Sequence, residues 1–208
     1  MSLFSARRRA PSNDLGFFFL WLRRPRRLGA VLPSDKALAA AMAARLDVEA
    51  PGAVIELGGG TGSVTRAILD AGVAAQDLIV IEREAALCEV IAARYAGVRV
   101  LCADARDLDV HLRRAGVQRV KAIVSGLPLL TMDKEDCRRV LGAAFAVLPE
   151  EGQFLQFTYG PVSPVSRETR AALRIAGKRA EWILSNLPPA AVWRYRRDGI
   201  ASGEGRAA

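Results

Sequence analysis

One ten-residue stretch, Val54-Ile55-Glu56-Leu57-Gly58-Gly59-Gly60-Thr61-Gly62-Ser63, constrains this chain more than any other. Ala53 to Leu57 is a short apolar run suited to a buried strand, and Val64, Ala67, Ile68 and Ala71 follow at helical spacing. The turn between them is built of glycine, which takes positive φ at little steric cost and lets a bound group lie against the backbone. Two familiar loops of this kind do not fit. A phosphate-gripping loop ends in Gly-Lys-Ser/Thr, and no lysine is present. A dinucleotide fingerprint needs glycine or alanine three places past its second glycine, where this chain has Ser63 or Thr65.

What remains, Glu-x-Gly-x-Gly-x-Gly with an acid just before the glycines, resembles motif I of the class I S-adenosylmethionine (SAM) methyltransferases. Two further acids stand at predicted strand ends. Glu82 lies 26 residues past Glu56, one βαβ step, where an acid can accept two hydrogen bonds from a ribose diol. Asp104, in Cys102-Ala103-Asp104-Ala105, can accept from an adenine amino group while Ala105 leaves room for the ring. Glu56 is expected near the methionine ammonium, directly or through the loop amides. Gly58, Gly59, Gly60, Thr61, Gly62, Arg83 and Ser125 complete the expected cofactor contacts.

The rest of the chain reads as repeated βα units. Leu78 to Glu82, Val98 to Ala103, Lys121 to Ser125 and Gln153 to Tyr159 are predicted strands. Ala85 to Tyr95, Leu108 to Ala115 and Asp133 to Leu148 are predicted helices, with Leu87, Ile91 and Tyr95 near-periodic in the first and Val140, Ala144 and Val147 inward in the last. Such alternation argues for a parallel sheet covered on both faces, with ligands at the carboxyl ends of its strands. After a helix at about Ser166 to Ala176, Lys178 to Ser185 leads through a turn at Asn186-Leu187-Pro188-Pro189 to Ala191–Arg197. There Val192, Arg194 and Arg196 alternate with Trp193 and Tyr195, which reads as a half-exposed strand at a sheet edge. The expected fold is α/β: a Rossmann-like, seven-stranded sheet of five parallel strands and a closing antiparallel hairpin. It spans 51–198, between an N-terminal helical extension at 1–50 and a loose tail at 199–208.

Charge separates these parts. Residues 1–50 carry nine Arg and Lys against four acids, 51–159 carry twelve against fourteen, and 160–208 carry nine against four. Basic flanks around a mildly acidic centre point to an anionic partner at the periphery, nucleic acid or a phospholipid surface. In the extension, residues 1–11 read as disordered, and Ser12-Asn13-Asp14 as a helix-capping cluster. Leu15 to Leu22 then holds Phe17, Phe18, Phe19 and Trp21, four of the chain's thirteen aromatics, beside Arg23, Arg24, Arg26 and Arg27. Eight apolar residues cannot cross a bilayer, and no small-residue cleavage site follows. Aromatics beside arginines suit a segment lying among anionic headgroups, which can also serve as an active-site lid. Ser34 is placed to cap a helix running through Leu46, with Leu38, Met42 and Leu46 forming one stripe. Cys88, Cys102 and Cys137 show no paired spacing and read as reduced core or helix residues, and His111 is the only histidine. Neither a metal site nor a histidine triad is expected.

The fourth strand ends Ser125-Gly126-Leu127-Pro128-Leu129. This resembles the Asn/Asp/Ser-x-Pro-Pro/Leu-Tyr-type loop of amino methyltransferases, where backbone carbonyls and one polar side chain hold the acceptor nitrogen in line with the sulfonium. Base-methylating relatives carry Asn first and an aromatic last, to stack a flipped base; Ser125 and Leu129 depart from that. With Leu28 to Ser34, Phe157-Thr158-Tyr159-Gly160-Pro161 and Asn186 to Ala190 with Val192-Trp193-Arg194, the chain from Phe17 to Arg197 resembles bacterial phospholipid N-methyltransferases, relatives of the rRNA adenine dimethylases. The resemblance implies SAM as methyl donor, S-adenosylhomocysteine as product, and stepwise methylation of phosphatidylethanolamine to phosphatidylcholine. It implies a monomer held peripherally at the cytoplasmic membrane, without metal or nucleic acid. Ser125, Gly126, Leu127 and Tyr159 are the expected acceptor-site residues, Tyr159 touching headgroup or amine. The alternatives are an RNA adenine dimethylase and a non-catalytic SAM-binding adaptor.

Overall fold

The computed structural model describes residues 33–184 and 189–199. The aromatic and arginine segment Phe17 to Arg27, the capping cluster before it, the turn at Asn186 to Pro188 and the tail beyond Gly199 lie outside the described residues. The chain divides into two units, Met1–Ala30 and Val31–Ala208, and the described residues belong to the second.

In chain order the elements are α1 (Pro33–Ala43), β1 (Ala53–Leu57), α2 (Ser63–Asp70), β2 (Leu78–Glu82), α3 (Ala85–Arg94), β3 (Arg99–Cys102), α4 (Leu108–Arg114), β4 (Val120–Ser125), α5 (Lys134–Val147), β5 (Gln153–Tyr159), α6 (Arg167–Ala172), β6 (Ile175–Ile183) and β7 (Ala190–Arg197). All seven strands join one sheet in the order β3-β2-β1-β4-β5-β7-β6. The first five strands pair in parallel, and β7 runs antiparallel between β5 and β6. This is the expected five-plus-two sheet. The chain crosses from β3 back to β4 beside β1, so the strand order reverses between β1 and β4, where a doubly wound sheet opens a crevice.

Strands buried on both faces are apolar along most of their length, and β1, β2 and β4 are, with Glu56, Glu82, Lys121 and Ser125 as the polar exceptions. Val54, Ile55, Leu57, Leu78, Ile79, Val80, Ile81, Ile123 and Val124 are all buried. One face packs against α4 and α5 through Leu112, Val140, Leu141, Ala144 and Phe145. On the other face α1 packs against α2 and reaches β5, β6 and β7. Leu38 and Met42 are buried, each worth about 1.5–3 kcal/mol relative to exposure. Polar ties fasten the segment that follows. Arg45 pairs with Glu181 at 2.6 Å, Gln153 Nε2 donates to the Arg45 carbonyl at 2.7 Å, and Lys121 Nζ donates to the carbonyls of Val48 and Ala50. Residues 33–50 are therefore bound into the sheet's own layers.

Three sequence expectations change. The alternating strand β7 is not the edge strand; β6 holds that place, and the half-buried side chains of β7, Trp193, Arg194, Arg196 and Arg197, lie on both faces toward its carboxyl end. In α3 Cys88 is buried and Leu87 only half-buried, because the 3.6-residue period places Cys88, not Leu87, over the sheet with Ile91. The helix expected through Ala176 ends at Ala172, and β6 begins at Ile175. Arg174 between them has φ 51°, the left-handed conformation that stops a helix. A non-glycine residue is strained there, so Arg174→Gly is expected to stabilise the fold by about 0.5–1 kcal/mol. A raised urea midpoint at unchanged slope would confirm this, and a lowered one would refute it.

Candidate functional site

The carboxyl ends of β1, β2 and β4 meet at the glycine loop. Gly58 N–H donates to the Ile81 carbonyl at 2.8 Å, and Gly126 N–H to the Leu57 carbonyl at 2.8 Å, so the loops after β1 and β4 extend the sheet's pairing. Each loop glycine has its own reason. Gly60 and Gly62 have φ 53° and 86°, and Gly62 initiates α2. Gly59 is required by packing, since a Cβ there would stand 2.5 Å from Val80 Cγ1 and 2.6 Å from Ile91 Cδ1. A Cβ at Gly58 would stand 3.0 Å from Leu127 Cδ2, and one at Gly126 3.0 Å from the Gly58 carbonyl. The two loops are therefore in direct contact. At Gly60 a Cβ would meet, among the described residues other than its chain neighbours, nothing nearer than the Gly58 carbonyl at 4.0 Å.

Glu82 holds this loop from the side. Its Oε2 accepts from Gly60 N–H at 3.0 Å and its Oε1 from Glu84 N–H at 2.9 Å, leaving each oxygen capacity for one more donor. Two residues not anticipated as site residues clamp the far end. The Tyr95 hydroxyl donates to the Gly62 carbonyl at 2.8 Å, and Arg94 Nη1 to the Thr61 carbonyl at 2.9 Å. Tyr95 stood in the sequence only as an apolar helix position, and nothing local marks its 33-residue reach.

Glu56 is fully buried beneath the loop rather than lining its open face. Thr65 of α2 donates its hydroxyl to Glu56 Oε2 at 2.6 Å, and Oε1 has no partner among the described residues. Burial pushes this carboxyl up to about 8, against the opposing Thr65 hydrogen bond. Asp104 caps the short turn Ala105–Asp107 and is clasped by Arg106. Its Oδ1 accepts from Arg106 N–H and Nε, and its Oδ2 from Nη2 at 2.7 Å, while Arg106 Nη1 reaches Asp136 at 2.9 Å. The Arg106 hydrogen bonds hold Asp104 below the usual carboxylate range. A further donor can still reach Oδ2. Ala105 is buried in the apolar layer, and Arg83 and Thr61 are exposed.

In the loop after β4, the buried Ser125 Oγ accepts from Leu127 N–H at 3.3 Å. The Leu127 carbonyl accepts from Leu129 N–H and from Gln156 Nε2, each at 2.9 Å. Tyr159 ends β5 and is buried, edge-on to Phe157 at 5.6 Å. Among the cysteines Cys88 and Cys137 are buried in helices, but Cys102 is exposed at the end of β3. Among the described residues no group of three His, Cys, Asp or Glu is placed to hold a metal ion.

At the carboxyl ends of the strands of this α/β sheet stand a glycine loop, the Glu82 carboxylate with spare acceptor capacity beside it, Asp104 beyond β3, and the loop from β4 in contact with the glycine loop. Residues 54–152 match the family described as "Methyltransferase domain". Over 151 residues the chain is 30% identical to the ornithine lipid N-methyltransferase of Singulisphaera acidiphila, covering 69% of this chain and 79% of that one. Among solved structures it resembles the 1,6-didemethyltoxoflavin-N1-methyltransferase of Burkholderia thailandensis, with bound S-adenosylhomocysteine, at TM-score 0.63, 15% identity, and 95% and 98% coverage. It also resembles the magnesium protoporphyrin IX methyltransferase of Synechocystis PCC 6803, with bound SAM, at TM-score 0.58, 12% identity, and 92% and 100% coverage. This chain belongs to the class I SAM-dependent methyltransferases. SAM is its cofactor.

Proposed function

We propose that this protein methylates the amine of a phospholipid headgroup, carrying phosphatidylethanolamine stepwise towards phosphatidylcholine. The observation that carries this reading is the end of the acceptor loop. Leu129, where a base-methylating enzyme would present an aromatic, is buried in the apolar layer with Cys137 and Leu141. Without a stacking surface an adenine loses about 1–3 kcal/mol, whereas an aliphatic amine needs none. The ornithine lipid N-methyltransferase relative supports an amine on a lipid.

Bound over the glycine loop, SAM supplies an electrophilic methyl group. The protein's share is orientation and exclusion of water. Ser125 fixes the start of the acceptor loop, and contact between Gly58 and Gly126 sets the distance between donor and acceptor loops. The amine must arrive neutral, because an ammonium has no lone pair; its proton passes to water or the lipid phosphate. Tyr159 is our choice for the side chain meeting the headgroup, with cation–π attraction to the methylated nitrogen.

We place the enzyme at the cytoplasmic face of the membrane as a monomer, with Phe17, Phe18, Phe19 and Trp21 in the interface and Arg23, Arg24, Arg26 and Arg27 on lipid phosphates. Among the described residues no helix is long and apolar enough to cross a membrane. Radiolabelled SAM offered with phosphatidylethanolamine vesicles, ornithine-lipid vesicles and RNA tests the reading. Label in the ethanolamine lipid is expected. Label only in ornithine lipid or RNA reassigns the acceptor, and cofactor binding without transfer to any of them makes the protein an adaptor. Flotation with anionic vesicles should fail once residues 1–27 are removed; unchanged flotation refutes the membrane segment.

A further inference from the structure

A parallel strand buried on both faces is ordinarily apolar, yet β5 carries Gln153, Gln156 and Thr158, all buried. Gln156 lies in a row that crosses the sheet in register: Ile81, Leu57, Ser125, Gln156 and Trp193. The row is apolar on β2 and β1 and turns polar where it passes under the acceptor loop. Burying an amide is costly unless its hydrogen bonds are met, so this residue needs a reason.

The hydrogen bonds supply one. Both N–H groups of the Gln156 amide are used, one on the Leu127 carbonyl and one on the Phe157 carbonyl, each at 2.9 Å. Its buried Oε1 has no partner among the described residues, a cost the two donated bonds must offset. The Leu127 carbonyl, with two lone pairs, accepts from Gln156 and from Leu129 N–H and is thereby filled. The Leu127 N–H is held by Ser125 Oγ. The whole peptide environment of Leu127 is thus fixed from beneath, and its side chain is the one packed against Gly58 of the cofactor loop. The Leu127 carbonyl is thus committed within the protein, and its hydrogen bonds fix the loop rather than bind a ligand.

We propose that Gln156 is a positioning residue for methyl transfer: it holds the Leu127 carbonyl and so sets the acceptor loop at its working distance from the cofactor loop. The proposal rests on the reading of Ser125–Leu129 as the acceptor loop. Leucine or methionine at 156 would leave the Leu127 carbonyl with one partner, and a glutamate would set a carboxylate against two carbonyls. Neither change touches the glycine loop or Glu82.

The test compares wild type with Gln156→Met and Gln156→Glu in full-length protein. Three readings are taken: S-adenosylhomocysteine affinity by calorimetry, hydrogen exchange of the 126–132 segment with S-adenosylhomocysteine bound, and steady-state methylation of phosphatidylethanolamine vesicles. S-adenosylhomocysteine affinity and KM for SAM are expected to stay within about twofold of wild type. Exchange in 126–132 is expected to rise at least about tenfold, and kcat to fall about 10- to 100-fold. Unchanged exchange in 126–132, or an equal loss of cofactor affinity in both variants, overturns the proposal. Raised exchange with retained affinity, in a wild type that methylates no ethanolamine lipid, upholds the positioning role and removes the lipid reading instead. Should Gln156→Glu fail to fold, Gln156→Met decides the matter.

Discussion

Gly60→Ala is expected to fold and to lose the cofactor. The position has φ 53°, where alanine costs about 1–2 kcal/mol, and among the described residues other than its chain neighbours only the Gly58 carbonyl, at 4.0 Å, comes near the new methyl. The methyl would stand over the loop, the place assigned to SAM. A weakening of at least about 100-fold in S-adenosylhomocysteine affinity, or about 2.7 kcal/mol, is expected, with a folded circular dichroism spectrum. Gly59→Ala should behave in the opposite way. Its methyl would collide with Val80 and Ile91 inside the protein, so stability should fall by about 1–3 kcal/mol through overpacking. A pair of adjacent glycines that separates binding from stability is a sharper result than either variant alone. Equal affinity loss and equal destabilisation in both would contradict the geometry.

The second large effect concerns pH. Glu56 has its pKa raised from 4.5 to about 8 by burial, so the folded state holds its proton more tightly than the unfolded chain. Its contribution to stability is therefore complete below about pH 4.5 and is lost as pH rises through about 8. The loss amounts to something on the order of 5 kcal/mol at alkaline pH. Glu56→Gln should remove this slope. Thr65 can still donate to the amide oxygen, but the amide nitrogen takes the place of Oε1 and lacks an acceptor among the described residues. The variant is thus expected to be less stable than wild type near pH 5 and more stable above pH 8, with crossing curves in urea titrations. Parallel curves would show that Glu56 is ionised in the folded protein across this range.

The sheet was legible because apolar runs of strand length alternated with helical spacing, and the strand-end acids Glu56, Glu82 and Asp104 stood in register with a glycine turn. Local chemistry dictates these features, so they can be read locally. The place of β7 was not legible. Its alternation of Arg with Trp and Tyr is the same for an edge strand and for an interior antiparallel strand whose side chains are half-buried. The end of α6 was hidden because an arginine, not a glycine, takes the left-handed φ at 174. Glu56 was legible as an acid before the glycines, but not its enclosure by Thr65, which depends on how α2 folds back. Gln156 illustrates the same limit. Its polarity within β5 was visible, but its partner Leu127 lies 29 residues away across a strand pairing.

Calorimetric titration of S-adenosylhomocysteine into wild type, Gly60→Ala and Glu82→Ala tests the central claim, that the cofactor lies over Gly60 with its ribose on Glu82. The account predicts saturable one-to-one binding to wild type and at least about 100-fold weaker binding to both variants, each still folded. Wild-type affinity in both variants would contradict it.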